Sequence, residues 1–388
     1  INEENFIGDN LSTFKLRLSA GITGNQDGLG YGNFVARQRF AGLGIQNDNV
    51  VNQNGLAIVA TDVPDLKWEE TVDFNLGLDF GLGLDRFTGS IDVYRRKTTD
   101  VLLRTPPAAP AVDPFQFGNV DAAIINKGLE LALAYDFVQT DNATFGASFN
   151  IAFNDNEIQD FASSINTGEI NGQGLSGAFA QRFEAGVPLF AYYMAIFEGF
   201  DSDGFPIYTD VDGNGVGDPI GDQTFIGESA LPEITSGLSL NAQINDWDFS
   251  AYFSGQFGFS VYNNTANAFF TSGSITNARN VTQDVLTSGE AAGASADVST
   301  RFLEKGDFVR MQNATIGYNV PLDGEGAIKN LRLSVTGQNL FLITDYSGLD
   351  PEVTVNTGDL GSGVPSRGID FAGYPNPRTV VLGINVSF

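Results

Sequence analysis

From Asp210 to Asp222 the chain reads Asp-Val-Asp-Gly-Asn-Gly-Val-Gly-Asp-Pro-Ile-Gly-Asp, the densest grouping of hard oxygen ligands in the sequence. Asp210, Asp212, Asn214 and Asp218 fall at the first, third, fifth and ninth places of a loop, Gly215 at the sixth and Val216 at the seventh. An EF-hand-like loop surrounds calcium with this spacing, taking side-chain oxygens, a backbone carbonyl at the seventh place and a sharp glycine turn. The twelfth place, where a bidentate Glu belongs, is Gly221, and Asp222 follows within reach. Asp210, Asp212, Asn214, Val216, Asp218 and Asp222 are therefore the candidate metal ligands and Ca2+ the candidate cofactor. An Asp/Gly-rich surface turn has the same composition, so the pattern leaves both readings open. Asp201 and Asp203, in a nearby Asp-Ser-Asp-Gly turn, are weaker candidates.

Other chemistry is scarce. Among 388 residues there is no cysteine and no histidine. A disulfide framework, a thiolate nucleophile and the commonest acid/base group are thereby absent. Glu69 and Glu70 carry two carboxylates, but glycosidase chemistry needs a pair at a set separation across a cleft, and nothing in the sequence fixes one. No catalytic residue is assigned, and the chain is not expected to be an enzyme. With 47 acidic against 20 scattered basic residues the net charge is -27, which excludes nucleic acid as a partner, since phosphate binding needs clustered Lys and Arg.

The elements that would carry such a loop are strands. Phe14, Leu16, Leu18, Ala20 and Ile22 alternate with Lys15, Arg17, Ser19, Gly21 and Thr23. Similar period-two patterning runs through 74–80, 87–93, 129–137, 145–153, 238–244, 247–261, 306–320, 329–342 and 378–388, about ten half-buried strands. No run of 18 apolar residues could cross a bilayer as a helix, and Ile1 to Asn10 lack the features of a signal peptide. A barrel strand crosses with about 10 alternating residues and escapes a hydropathy search.

Connection lengths sort by parity. The stretches 81–86, 138–143, 245–247 and 321–330 are short, whereas 24–68, 98–126, 155–232, 262–305 and 343–377 are long and polar. Outer-membrane barrels show this asymmetry, with short periplasmic turns and long extracellular loops. The fold expected is all-β, a transmembrane antiparallel barrel with its last residue, Phe388, on the periplasmic side. Soluble sandwiches and propellers also alternate, so a soluble carbohydrate-binding β-domain stays open as an alternative. Trp68, Tyr94, Trp247 and Tyr318 are candidates for interfacial aromatic girdles. Phe179, Phe183, Tyr192, Tyr193, Phe269 and Phe270 lie in the long loops, where mutual packing is expected over stacking on a sugar.

Several segments, taken in order, resemble the SusC/RagA family of TonB-dependent outer-membrane transporters. They are FKLRLSAGITGNQ (Phe14 to Gln26), PDLKWEET (Pro64 to Thr71), GDFVRMQNATIGYNVP (Gly306 to Pro321), LRLSVTGQNLF (Leu331 to Phe341), YSGLDPE (Tyr346 to Glu352), YPNPRT (Tyr374 to Thr379) and the ending LGINVSF. The family's basic-rich run reads Val309-Arg310-Met311-Gln312-Asn313 here. The resemblance implies a 22-stranded barrel around an N-terminal plug, of which residues 1–388 would form the C-terminal part, with plug and TonB box elsewhere.

It further implies TonB-dependent import of a large nutrient, glycan oligomers or peptides, across the Gram-negative outer membrane. The implied partners are a SusD-like surface lipoprotein acting as lid, TonB, and the barrel-assembly machinery, which would recognise the last strand through Phe388 and the alternating Val386, Ile384, Leu382 and Val380. Outer-membrane lipid and lipopolysaccharide complete the expected surroundings, the latter bridged by calcium to acidic loops. A barrel serving as scaffold in a larger outer-membrane complex is the other alternative.

Overall fold

The computed structural model describes residues 11–26, 37–46, 49–60, 63, 65–105, 116–170, 178–322, 326–353 and 366–388. Ile1 to Asn10, Pro64 and parts of the expected long loops lie outside them. Ten strands form one antiparallel sheet in chain order: β1 (Leu11–Asn25), β2 (Glu69–Leu82), β3 (Phe87–Thr99), β4 (Ala123–Gln139), β5 (Ala143–Gln159), β6 (Ile234–Ile244), β7 (Trp247–Phe257), β8 (Phe308–Asn319), β9 (Asn330–Thr344) and β10 (Thr379–Ser387). Each strand pairs only with its predecessor and successor, so 83–86, 140–142, 245–246 and 320–329 turn at one end. The connections 26–68, 100–122, 160–233, 258–307 and 345–378 all stand at the other.

Period-two alternation gives the sheet two unlike faces. On one, Leu18, Leu76, Val93, Leu129 and Phe153 stand in register across β1 to β5, and Phe249, Ile316, Val335 and Leu382 do so across β7 to β10. This face is not covered by protein: Leu18 is 82% exposed and Leu382 77%. A soluble sheet would bury it against a second layer. At the short-turn end the same face carries an aromatic row in which Phe80, Phe87, Tyr135, Phe137 and Phe145 follow one another with ring centroids 5.7, 6.1, 4.8 and 5.1 Å apart. Trp247 and Tyr318, 4.7 Å apart, extend it.

The opposite face is polar, and long side chains strap strands across an intervening one. Arg17 on β1 passes over Gly77 on β2 to hold Asp92 on β3 (Nη2–Oδ2 2.7 Å) while also contacting Asp79 (Nη2–Oδ1 2.8 Å). Arg332 on β9 crosses Gly317 on β8 to bond Asp248 on β7 at 2.9 and 2.5 Å. Each strap lies over a glycine, and a Cβ there would push the strap aside: one on Gly77 would lie 2.4 Å from Asp92 Oδ1 and one on Gly317 2.4 Å from Arg332 Nη2. Tyr94 is a third strap: it is buried, crosses Gly128 and donates its hydroxyl to Asn154 Oδ1 at 2.7 Å. It therefore faces the polar side, and the expectation that it belongs to an aromatic girdle is corrected.

Two other boundaries differ from the alternation. The pattern 247–261 reads as one strand, but β7 ends at Phe257 and Gly258 (φ +73°) turns the chain away. Phe259 and Val261 then enter a buried cluster with Phe308 and Tyr346. In β9 the register slips by one opposite Gln312, leaving a bulge at Asn339 and Leu340, where Asn339 takes φ +50°. Asparagine is among the few residues that adopt this conformation readily.

Apart from Tyr94 and residues at the long-connection ends of strands, the buried apolar side chains lie in the long connections. One cluster unites Ile170, Met194 and Ala230 of 160–233, Tyr262, Val298 and Phe302 of 258–307, and Ile369 of 345–378. At its centre the fully buried Tyr192 donates its hydroxyl toward the carbonyls of Ser260 (2.9 Å) and Gly368 (2.8 Å), so one side chain joins three connections. Burial pushes its phenol pKa well above the ordinary value. Phe183, also buried, packs instead with Val101, Leu103, Ala122 and Ile158.

The two faces and the loop core give separate expectations. In lipid vesicles, Leu131→Arg in the full-length protein, on the apolar face, is expected to lower the unfolding free energy by about 2–4 kcal/mol, while Ala132→Arg on the polar face changes it little. Urea unfolding checks the pair, and equal costs would place the apolar face in water. Tyr192→Phe removes the shared donor and is expected to cost about 1–3 kcal/mol, seen as faster limited proteolysis within 160–233 and 258–307.

Candidate functional site

The long-connection end carries an Asp-rich loop, a cavity lined by carboxylates and a buried ion pair. Its Asp-rich loop follows the hairpin Phe197–Phe200 and Pro206–Tyr208 and precedes the loop strand Thr224–Ser229. Asp210, Asp212 and Asp222 bring one carboxylate oxygen each within 4.8 Å of one another. Asp222, the thirteenth residue of the loop, thus reaches back into the place a twelfth-position Glu would fill. Its Oδ1 accepts the N–H groups of Val211 (2.7 Å) and Asp212 (2.9 Å), and its Oδ2 that of Asp218 (2.8 Å). The N–H groups of Asp212 and Asp218, with that of Val211, hold its carboxyl below the usual carboxylate range.

The other candidates shape the turn. Asp210 accepts from the N–H groups of Gly213, Asn214 and Gly215. Asn214 donates its amide to Asp212 Oδ2 at 2.9 Å and accepts the N–H of Val216. Val216 carries an exposed side chain. Asp218 is not in the carboxylate group: its Oδ1 faces the N–H groups of Gly221 (3.0 Å) and Ile220 (2.7 Å), which lower its pKa. Asp201 caps its own turn through the N–H groups of Asp203 and Phe205.

Between 258–307 and 345–378 lies a cavity of about 550 Å³. Val285, Phe270, Phe302 and Leu349 supply apolar wall, and Asp284, Glu304 and Asp370 supply carboxylates. Glu304 accepts from Asn263 Nδ2 (2.9 Å) and from the Ser347 hydroxyl (2.8 Å) and N–H (2.7 Å). Asp370 accepts the hydroxyls of Tyr346 (2.7 Å) and Thr265 (3.2 Å). Burial and the Asp370 carboxylate push the Tyr346 phenol above its ordinary pKa. Arg301, also in the wall, is held by Glu290 through two parallel bonds of 2.8 and 2.9 Å.

Below the cavity four sequence segments meet at one buried ion pair. Arg310 of GDFVRMQN bonds Asp350 of YSGLDPE (2.5 Å) and Asn339 of GQNLF (2.8 Å), and approaches Glu352 at 3.0 Å. Asp350 also accepts the amide of Asn376, in YPNPRT. The bulge at Asn339 is what aims that side chain at Arg310. At the other end of the sheet Phe388 follows β10, exposed on the short-turn side beside the start of β9.

Comparison with known proteins settles what this sheet belongs to. The family profile described as "TonB dependent receptor-like, beta-barrel" matches residues 7–340. The chain belongs to the TonB-dependent receptor-like β-barrel family. Across its whole length it is 30% identical to the TonB-dependent receptor SusC of Bacteroides thetaiotaomicron, covering 39% of that protein, and 29% identical to TonB-dependent receptor P26 of Formosa agariphila, covering 41%. Against the RagAB peptide importer in its closed-closed state the TM-score is 0.81 with 28% identity, over 99% of this chain and 42% of the other. The chain spans about two fifths of the length of these relatives. This TonB-dependent receptor-like chain is thus a stretch of outer-membrane β-barrel, with its apolar face toward lipid and its strapped polar face toward the lumen. Its relatives are named as receptors and transporters.

Sequence reasoning singled out the Asp loop and missed the Arg310–Asp350 pair and the cavity carboxylates. The segments meeting at Arg310 are the ones that carry the family resemblance, which is the signal that could have found it. Nothing comparable marks Asp284, Glu304 and Asp370, whose convergence depends on loop folding.

Breaking a buried ion pair strands the partner charge, so Asp350→Ala is expected to cost about 3–5 kcal/mol in urea unfolding, with a smaller loss for Glu352→Gln at the cluster's more exposed edge. Because the folded pKa of Asp222 is depressed, its stabilisation of the loop is present above the ordinary carboxylate pKa and is lost as pH falls through the depressed value. The hydrogen-exchange protection factors of the Val211, Asp212 and Asp218 amides, taken against intrinsic rates at each pH, are expected to fall in acid and, at neutral pH, in Asp222→Ala.

Proposed function

We propose that this chain is the C-terminal barrel portion of a TonB-dependent importer that carries a large nutrient, glycan oligomers or peptides, across the outer membrane beneath a SusD-like lipoprotein lid. The observation that carries this reading is the fused rim: three long connections share one buried core around a cavity, above a sheet whose lumenal face is polar. A rim built this way offers a ligand a fixed surface and a lid a single body to rest on. Likeness to the RagAB peptide importer over nearly the whole chain supports it. TonB would act through parts of the protein outside residues 1–388, with the long connections outside the cell and Phe388, on the periplasmic side, engaging the barrel-assembly machinery.

Cells lacking the full-length protein are expected to lose uptake of fluorescently labelled oligopeptides or glycan oligomers, with uptake returning on complementation, and a surface lipoprotein is expected to co-purify in detergent. Unchanged uptake would count against transport and favour a scaffold.

The carboxylates of Asp210, Asp212 and Asp222 fit a divalent cation, and calcium bound there would cross-link the loop and could bridge it to lipopolysaccharide phosphates. Calcium titration of the full-length protein, followed by hydrogen exchange across 210–222, is expected to show protection that Asp210→Asn with Asp212→Asn removes. Protection that survives both substitutions would refute the assignment.

A further inference from the structure

The cavity between 258–307 and 345–378 has an unbalanced electrical wall. Three carboxylates line it, and none of Asp284, Glu304 and Asp370 forms an ion pair with a basic side chain among the described residues. The cation in the wall, Arg301, is already neutralised by the buried Glu290, with both guanidinium bonds made in parallel and its plane near the rings of Phe302 (4.7 Å) and Phe200 (4.9 Å). Asp370 is the informative member: it is 5% exposed, and its two oxygens are met by the hydroxyls of Tyr346 and Thr265, neutral donors that leave the charge uncompensated. A carboxylate so far out of water is costly unless an opposite charge reaches it. Val285, Phe270 and Leu349 give the wall an apolar part beside neutral polar residues such as Thr282 and Ser288, and about 550 Å³ admits a side chain with its flanking residues, well beyond a hydrated metal ion.

We propose that this cavity binds the charged group of a cationic peptide, a lysine ammonium, an arginine guanidinium or an amino terminus, with its apolar stem against Val285 and Leu349. Asp370 and Glu304 receive the cation, and Asp284, exposed at the rim, draws it in. The proposal rests on the import reading and narrows its substrate class, from glycans or peptides to peptides bearing positive charge. A neutral glycan would leave the buried carboxylate unpaired, and an anionic peptide would be repelled.

The test is calorimetric titration of the full-length, detergent-extracted protein, with its lipoprotein if one co-purifies, using the peptide Leu-Leu-Lys-Leu-Leu with both termini blocked. Its twin carries norleucine for lysine, keeping the stem and losing the ammonium. The lysine peptide is expected to bind at least about tenfold more tightly, the discrimination of a single charge-assisted contact, with the gap shrinking at high salt. Asp370→Asn, which removes the charge and keeps one acceptor oxygen, is expected to abolish the preference, and Asp284→Asn, at an exposed position where folding is not at stake, to reduce it. Equal binding of the two peptides, or a preference that survives both substitutions, overturns the proposal. Uptake assays in cells separate this from the import reading: neutral peptides or glycans entering as readily as lysine peptides would leave import standing and sink the cation site. Absence of all uptake alongside a lysine preference in calorimetry would do the reverse.

Discussion

Inside hydrocarbon there is no water to satisfy a backbone N–H or C=O, and each group left unpaired costs several kcal/mol. The sheet answers with an unbroken antiparallel ladder in which every interior strand pairs along both edges with its sequence neighbours. Once the ladder spans the bilayer, the side chains have little freedom of plan. The face toward lipid must be apolar and needs no packing partner, which is why Leu18 and Leu382 stand out from the surface. The face toward the lumen must be polar and cannot form a hydrophobic core.

Because the sheet has no core, its tertiary cohesion comes from elsewhere. Across the lumen face it comes from straps such as Arg17 to Asp92 and Arg332 to Asp248, each laid over a glycine so that two strands can be joined across a third. At the top it comes from the Arg310 and Asp350 pair, which pins the connection 345–378 to β8 and β9. Above that, where water returns, conventional burial resumes, and Tyr192 and its neighbours build a core from loops alone. The Asp loop and the cavity sit on this upper layer, and their geometry is inherited from it.

The division also explains what the sequence made legible. Alternation located all ten strands, because one apolar face is demanded by lipid at every second residue, and loop parity followed from counting. Alternation misled at Phe259 and Val261, whose apolar side chains continue the period of β7 but answer to a loop core beyond the turn at Gly258. It misled at Tyr94 too, an aromatic residue by type but a lumenal strap by register. The bulge at Asn339 was invisible because a one-residue slip leaves composition unchanged. Within the candidate site, the Asp loop was readable because its residues are consecutive. The cavity carboxylates come from positions 284, 304 and 370, and only the folded connections bring them together.

The fused rim has a consequence for changes within its connections. Residues of 160–233, 258–307 and 345–378 fill one core, and one phenolic hydroxyl serves two carbonyls from different connections. A change of length or bulk in any of these stretches alters packing that the other two share. Among the described residues the short turns at the opposite end share no such buried core and touch only their neighbours, as where the Asn245 N–H meets the Asn142 carbonyl.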